Sequence, residues 1–196
     1  MGTGIIILAA GSSSRLGRPK QLLIYEGKTL LERATEAALN SSCKPVLVVL
    51  GDKADMMPRM SPRPDLNYLV NERWQEGMST SISRGLTALL EAEPNLDGVV
   101  IAATDQVFLS PGVINALVSA KAAGTKNIIA SGYAQTQGSP VLFSNAYFDH
   151  LLAINGEPGA KNLLKLHPND TQIVTFELGH IDIDTEADYT KLIHRK

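Results

Sequence analysis

Three apolar runs without polar alternation most constrain how this 196-residue chain can fold: Gly4 to Ala10, Pro45 to Leu50 and Gly98 to Ala103. A strand with one wet face alternates polar and apolar residues. Val46-Leu47-Val48-Val49-Leu50 and Val99-Val100-Ile101-Ala102-Ala103 do not, so both faces must be covered, as in parallel sheets. Lys126 to Ala130 and Pro140 to Phe143 add two further short runs. Helical patterns lie between them, at about Thr29 to Asn40, Ser79 to Glu93, Pro111 to Ala123 and Thr185 to His194, with a broken pair between Asn145 and Leu166.

This β-α-β order predicts the α/β class: a single domain over residues 1–196, with a mostly parallel open sheet and helices on both faces. Ligands in such folds bind beyond the carboxyl ends of the strands. The stretch from Tyr133 to Glu177 is less regular and is expected to add an antiparallel piece that covers the site. Met56 to Pro64, with three prolines, reads as an exposed loop.

Composition removes several function classes. The net charge is −2, from 18 basic and 20 acidic residues, so no positive field draws in a nucleic acid and a small-molecule substrate is the default. No run approaches the ~18 apolar residues that span a bilayer, and no basic region precedes Gly4 to Ala10; a cytosolic protein without membrane attachment is expected. The single cysteine, Cys43, excludes a disulfide framework or a cysteine metal cage and reads as structural.

Directly after the first run comes Gly11-Ser12-Ser13-Ser14-Arg15-Leu16-Gly17-Arg18-Pro19-Lys20. Small residues let backbone N–H groups approach an anion, and Arg15 and Lys20 can add charge-assisted bonds to phosphate oxygens. This is the chemistry of a triphosphate cradle. The spacing from Gly11 to Gly17 and the missing Lys-Ser or Lys-Thr after Gly17 separate it from the Walker A loop, and the G-x-G-x-x-G fingerprint is absent. A solvated turn whose cations serve solubility is the alternative from composition alone.

Two carboxylate groups suit a metal beside such a cradle. Asp105 follows the run Gly98 to Ala103 and should face the phosphates from the strand end, where a hard cation such as Mg²⁺ is held by one or two carboxylates plus phosphate oxygens; an Asp turn before Pro111 is the other reading. Asp182 and Asp184, two apart in an extended stretch, share one strand face. Asp182 is favoured for the metal, because Asp184 can also cap the last helix beside the Thr185–Asp188 pair. Ser79 can serve as an N-cap after Gly77. His150, His167, His180 and His194 show no ligand spacing and read as surface or packing residues.

The segment Leu8-Ala9-Ala10-Gly11-Ser12-Ser13-Ser14-Arg15-Leu16-Gly17 with Lys20 resembles the signature of the MobA-like nucleotidyltransferases, and within them the molybdenum cofactor cytidylyltransferase branch. Further matches run along nearly the whole chain: Gly77-Met78-Ser79-Thr80-Ser81 with Arg84-Gly85-Leu86, Asp105-Gln106, Gly138-Ser139-Pro140-Val141, Gly159-Ala160-Lys161 with Leu163-Leu164, and Asp182-Ile183-Asp184-Thr185. The resemblance implies a Rossmann-like fold, metal held by Asp105, and Ser79, Ser81 and Gly85 on the base side. It implies CTP as donor, since the guanylyl branch carries a second glycine where Ala10 stands. It also implies molybdenum-bearing molybdopterin as acceptor, with handover of the product to a molybdoenzyme or its chaperone.

The chain departs from the branch at Val107, commonly proline, and at Glu157, Pro158 and Lys161 within Gly156 to Lys161, where the branch commonly has Gly-Asp-x-Gly-Ala-Arg. Lysine does not replace arginine in bidentate phosphate recognition. Another cytidylyl- or sugar-phosphate nucleotidylyltransferase is the rival within the enzyme class. A nucleotide- or flavin-binding redox protein is the rival outside it, and retention of Lys20 and Asp105 argues against that.

Overall fold

Alternate residues of the central strand face opposite sides of one sheet, and both sides are dry. Ile5 and Ile7 point into one core with Val46, Val48 and Leu50, while Ile6 and Leu8 point into the other with Leu47 and Val49. The computed structural model describes residues 2–57, 64–154, 156 and 159–195. The expected Met56 to Pro64 loop falls largely outside these residues, as do Glu157 and Pro158.

The strands are β1 (Gly2–Ala9), β2 (Ile24–Tyr25), β3 (Lys28–Thr29), β4 (Val46–Leu50), β5 (Leu66–Val70), β6 (Leu96–Ala103), β7 (Ile128–Tyr133), β8 (Thr136–Ser144) and β9 (Thr171–Thr175). The helices are α1 (Leu30–Leu39), α2 (Met78–Ala92), α3 (Pro111–Ala123), α4 (Phe148–Ala153), α5 (Lys161–Leu166) and α6 (Glu186–Ile193). Seven strands form one sheet in the order β5-β4-β1-β6-β8-β7-β9, and β2 and β3 form a separate hairpin. All pairings in the large sheet are parallel except those of β8, which runs antiparallel to β6 and β7. Leu31, Ala34 and Ala38 of α1 and Ile114 and Leu117 of α3 cover one face. Ile82, Leu86 and Leu89 of α2, with Leu151, Leu163 and Leu164 of α4 and α5, cover the other.

Helix starts follow side-chain chemistry where the chain supplies it. The Thr29 hydroxyl accepts from the Glu32 amide and the Glu32 carboxylate accepts from the Thr29 amide, a capping box that opens α1. Ser110 caps α3, with Pro111 in its first turn.

The expected antiparallel piece exists, but it does not cover the site: β8 is inserted between β6 and β7 inside the sheet. Strands β5 and β9 are the two sheet edges, where one side lacks a neighbour and the sequences Leu-Asn-Tyr-Leu-Val and Thr-Gln-Ile-Val-Thr carry mixed polarity. That is why neither stands out as an apolar run. From the central β1, the chain first builds outward through β4 and β5, then returns to place β6 on the other side. The carboxyl end of β1 is therefore the switch point at which open α/β sheets form a crevice. No helix among the described residues is long and apolar enough to cross a membrane.

Candidate functional site

At that crevice the loop after β1, the residue after β6 and the start of α2 enclose an open cleft of ≈ 470 Å³, within the usual size for a small-molecule site. The first loop lines it with Leu8, Ala10, Gly11, Ser12, Ser13, Ser14, Arg15 and Lys20, the segment that opens α2 with Trp74, Gly77, Met78 and Ser81, and Asp105 and Asp184 complete the lining.

The loop is shaped by its own side chains. Ser13 adopts φ 56° and Gly17 φ 72°, left-handed values that let the chain reverse twice. The Ser13 carbonyl accepts from the amides of Leu16 and Gly17, and the Ser13 hydroxyl accepts from the Lys20 amide at 2.9 Å. Gln21, 1% exposed, donates its amide protons to the carbonyls of Ala9 (2.9 Å) and Gly11 (3.1 Å), pinning the start of the loop. The Ala10 backbone is in turn seated on Gly51: a methyl at position 51 would lie 2.6 Å from the Ala10 carbonyl oxygen and 2.8 Å from its Cα.

Lys20 is the electrostatic centre. Its Nζ donates to Asp105 Oδ2 and to Asp184 Oδ1, both at 2.9 Å, and its side chain is only 15% exposed. Burial pulls the Lys20 pKa down, but the charges of Asp105 and Asp184 and their hydrogen bonds more than offset this, so it ends above its ordinary value. Arg15, mostly exposed, donates to Asp184 Oδ2 at 2.7 Å. Asp184 is held below the usual carboxylate range, chiefly by the Lys20 hydrogen bond and then, against the opposing effect of burial, by the Lys20 and Arg15 charges. Asp182 is pushed up by burial, then by Asp105 and Asp184.

The segment carrying these aspartates corrects the strand reading. It is an irregular connection between the turn Glu177–His180 and α6, in which Ile183 is buried while Asp182 and Asp184 face away from the core. Thr185 and Asp188 complete the cap of α6 between themselves, with the Asp188 carboxylate on the Thr185 amide at 2.9 Å. The Asp184 side chain is thus released from capping and is the one that lines the cleft; Asp182 does not line it.

Other candidates separate in the same way. Ser81 and Ala10 line the cleft, whereas Ala9, Ser79 and Gly85 do not. Gly77, not Ser79, is the N-cap of α2, so Ser79 lies inside the helix with a buried hydroxyl that has no hydrogen-bond partner among the described residues. Gly85 serves close packing: a methyl there would approach Val49 Cγ2 at 3.0 Å and Ile6 Cδ1 at 3.1 Å. His150 and His167, separate in sequence, meet in an aromatic cluster with Tyr147, ring centroids 5.8 Å apart, far from the loop chemistry in the chain. Gln21, Gly51, Asn71 and Trp74 are additions that the sequence reading lacked. Gln21 adjoins Lys20 and Trp74 is the only tryptophan; neither carries a charge to draw notice.

The donor set fits a divalent cation shared with phosphates. Asp105 and Asp184 hold Lys20, Arg15 pairs with Asp184, and Asp182 lies close enough for Asp105 and Asp184 to add to the upward push that burial gives it. Among the described residues no group of three acidic, histidine or cysteine side chains stands at ligand geometry by itself; a hard cation beside a triphosphate takes one or two carboxylates with phosphate oxygens as further ligands.

Comparison with known proteins agrees with this geometry. Residues 5–172 match the model of the MobA-like NTP transferase domain. The chain is 29% identical over 172 residues to a nicotine blue oxidoreductase of Paenarthrobacter nicotinovorans, covering 83% of this chain and 81% of that protein. It is 30% identical over 169 residues to the purine catabolism protein PucB of Bacillus subtilis (strain 168), covering 82% and 79%. Among solved structures, Rv0371c of Mycobacterium tuberculosis H37Rv superposes with a TM-score of 0.85 at 26% identity, over 100% of this chain and 98% of that one. A glycine- and serine-rich loop after the first strand, a lysine bridging two aspartates and a match over most of the length lead to one conclusion: the chain belongs to the family of MobA-like NTP transferase domains, and is a nucleotidyltransferase.

Proposed function

We propose that the protein transfers the cytidylyl group of CTP to a phosphorylated acceptor, molybdenum-bearing molybdopterin, and releases pyrophosphate. The observation that carries this is Lys20, whose ammonium is held between Asp105 and Asp184 beside the loop of small residues. An α-phosphate bound on that loop meets a preformed cation. A phosphate oxygen of the acceptor attacks the α-phosphorus, and the bond to the bridging oxygen breaks as pyrophosphate leaves. A phosphate monoester is ionised at neutral pH, so the nucleophile needs no general base.

Catalysis is then positioning plus stabilisation of developing charge. Lys20 would exchange its carboxylate partners for the α-phosphate, Arg15 and the loop amides would hold the outer phosphates, and Asp105 with Asp184 or Asp182 would hold the cation. That Mg²⁺, when bound, neutralises phosphate charge as a Lewis acid. Ala10 lines the cleft, and a side chain there, where the guanylyl branch has glycine, would favour a pyrimidine over a purine. Size alone discriminates by only about 1 to 3 kcal/mol, so hydrogen bonds to the base edge must supply the rest. The product would pass to a molybdoenzyme or its chaperone.

One relative is named as an oxidoreductase, which keeps a redox reading in view. Incubation with each nucleoside triphosphate, Mg²⁺ and molybdenum-loaded molybdopterin, with mass analysis of the product and assay of pyrophosphate, separates them. Cytidylylated product with one pyrophosphate per turnover is expected. A preference for GTP would sink the donor assignment, and turnover without pyrophosphate would favour redox chemistry.

A further inference from the structure

The wall of the cleft opposite the phosphate loop contains a buried amide that no cleft-lining role yet accounts for. Asn71 follows β5, is 1% exposed, and donates its backbone N–H to the Leu50 carbonyl at 2.8 Å, which locks it to the end of β4. Its side chain spans to α2: Nδ2 donates to Thr80 Oγ1 and to Ser81 Oγ, both at 2.9 Å.

The direction of these bonds follows from their partners. Asn71 Oδ1 accepts from the Arg73 amide at 3.1 Å, a group that can only donate, so the carboxamide cannot be flipped. The single Thr80 proton goes to the carbonyls of Arg73 (3.0 Å) or Gly77 (2.9 Å), so Thr80 must receive from Asn71. Both Nδ2 protons are then assigned. Ser81 Oγ is left accepting from Asn71, and among the described residues no acceptor takes its own proton. Ser81 lines the cleft and is 3% exposed.

We propose that Asn71 sets the hydrogen-bond polarity of the base site, holding Ser81 as a donor so that the cleft selects a nucleobase presenting an acceptor edge there, a ring carbonyl or an unprotonated ring nitrogen. This rests on the nucleotidyltransferase reading above and adds a positioning residue that does not itself touch the nucleotide. Without Asn71 the Ser81 hydroxyl can rotate to donate or accept and loses its preference. A donor edge facing Ser81 in the wild type leaves one buried proton opposed to another, and unpaired buried polar groups carry the strongest discrimination.

The test is a titration of parent, Asn71→Ala, Ser81→Ala and the double variant, read by the fluorescence of Trp74, the chain's only tryptophan and part of the cleft. The ligands are whichever of CTP, UTP, GTP and ATP binds the parent most tightly, and inorganic tripolyphosphate, which has no base. Each single variant is expected to weaken the nucleotide about tenfold, with tripolyphosphate unchanged and the double variant no weaker than either single one. Unaltered nucleotide affinity in Asn71→Ala, an equal loss for tripolyphosphate, or losses that multiply in the double variant would overturn the proposal. Should Asn71→Ala fail to fold, Asn71→Asp keeps the shape but draws the Ser81 proton to its carboxylate, and must show the same base-dependent loss. A parent that binds neither tripolyphosphate nor any nucleotide would overturn the nucleotidyltransferase reading itself; tripolyphosphate binding with no base-dependent change strikes the Asn71 proposal alone.

Discussion

Lys20 is charged because two carboxylates outweigh its burial, and on the proposed reading a substrate's phosphates would replace them as partners. Lys20→Ala is expected to lower pyrophosphate release by a factor of about 100 to 1,000, the usual loss for one electrostatic donor, with a smaller effect on triphosphate binding. Steady-state kinetics beside a binding titration check this, and near-normal turnover would remove Lys20 from the chemistry. Cys43 carries a separate prediction. Burial pushes its thiol up to about 11 from 9.0, so the folded protein holds the proton more firmly than the unfolded chain. The resulting stability is complete below pH 9 and is lost as pH rises toward 11. The folded thiol should resist a thiol reagent below pH 9 and react at once in urea; rapid reaction of the folded protein would contradict its burial.

At the scale of elements, the site is a junction of strand ends and depends on how closely they approach. Gly51, just past β4, leaves room for Ala10, just past β1, and the obstructing atoms there are mostly backbone, which cannot swing aside. Gly51→Ala is therefore expected to cost about 1 to 3 kcal/mol and to displace the phosphate loop. Urea denaturation and tripolyphosphate titration should both register it, and a variant of parental stability and affinity would mean that the loop has slack. The loop composition after β1 was readable in the sequence because Gly11 to Lys20 is contiguous and follows an evident strand. The seat beneath it was not, because Gly51 meets Ala10 only through the parallel pairing of β1 and β4.

At the scale of the whole molecule, the C-terminal segment closes the site. Ile183 and Leu192 enter a small core with Leu16, Leu23, Leu30 and Val107, and this anchors Asp184 against Lys20 and Arg15. Ile183→Ala should destabilise the protein by about 2 to 5 kcal/mol through the lost burial and the cavity left behind. It should also weaken triphosphate binding, since Asp184 is the adjacent residue. Thermal denaturation with and without CTP measures both, and destabilisation with unchanged ligand response would separate the anchor from the site.

The sequence by itself determined the class of fold, because runs that are apolar on both faces must be buried in a layered parallel sheet, and it singled out the loop after β1 as a candidate, because that loop's composition is local and contiguous. It also pointed to Asp105, one residue beyond an apolar run and its following threonine. Only the tertiary structure decided between Asp182 and Asp184 as the cleft carboxylate. That choice depends on which side chain the buried Ile183 turns toward a lysine 164 residues away. The same holds for Asn71 and Ser81: nothing in either residue type sets a hydrogen-bond direction, which follows from carbonyls and amides that the fold alone brings within reach.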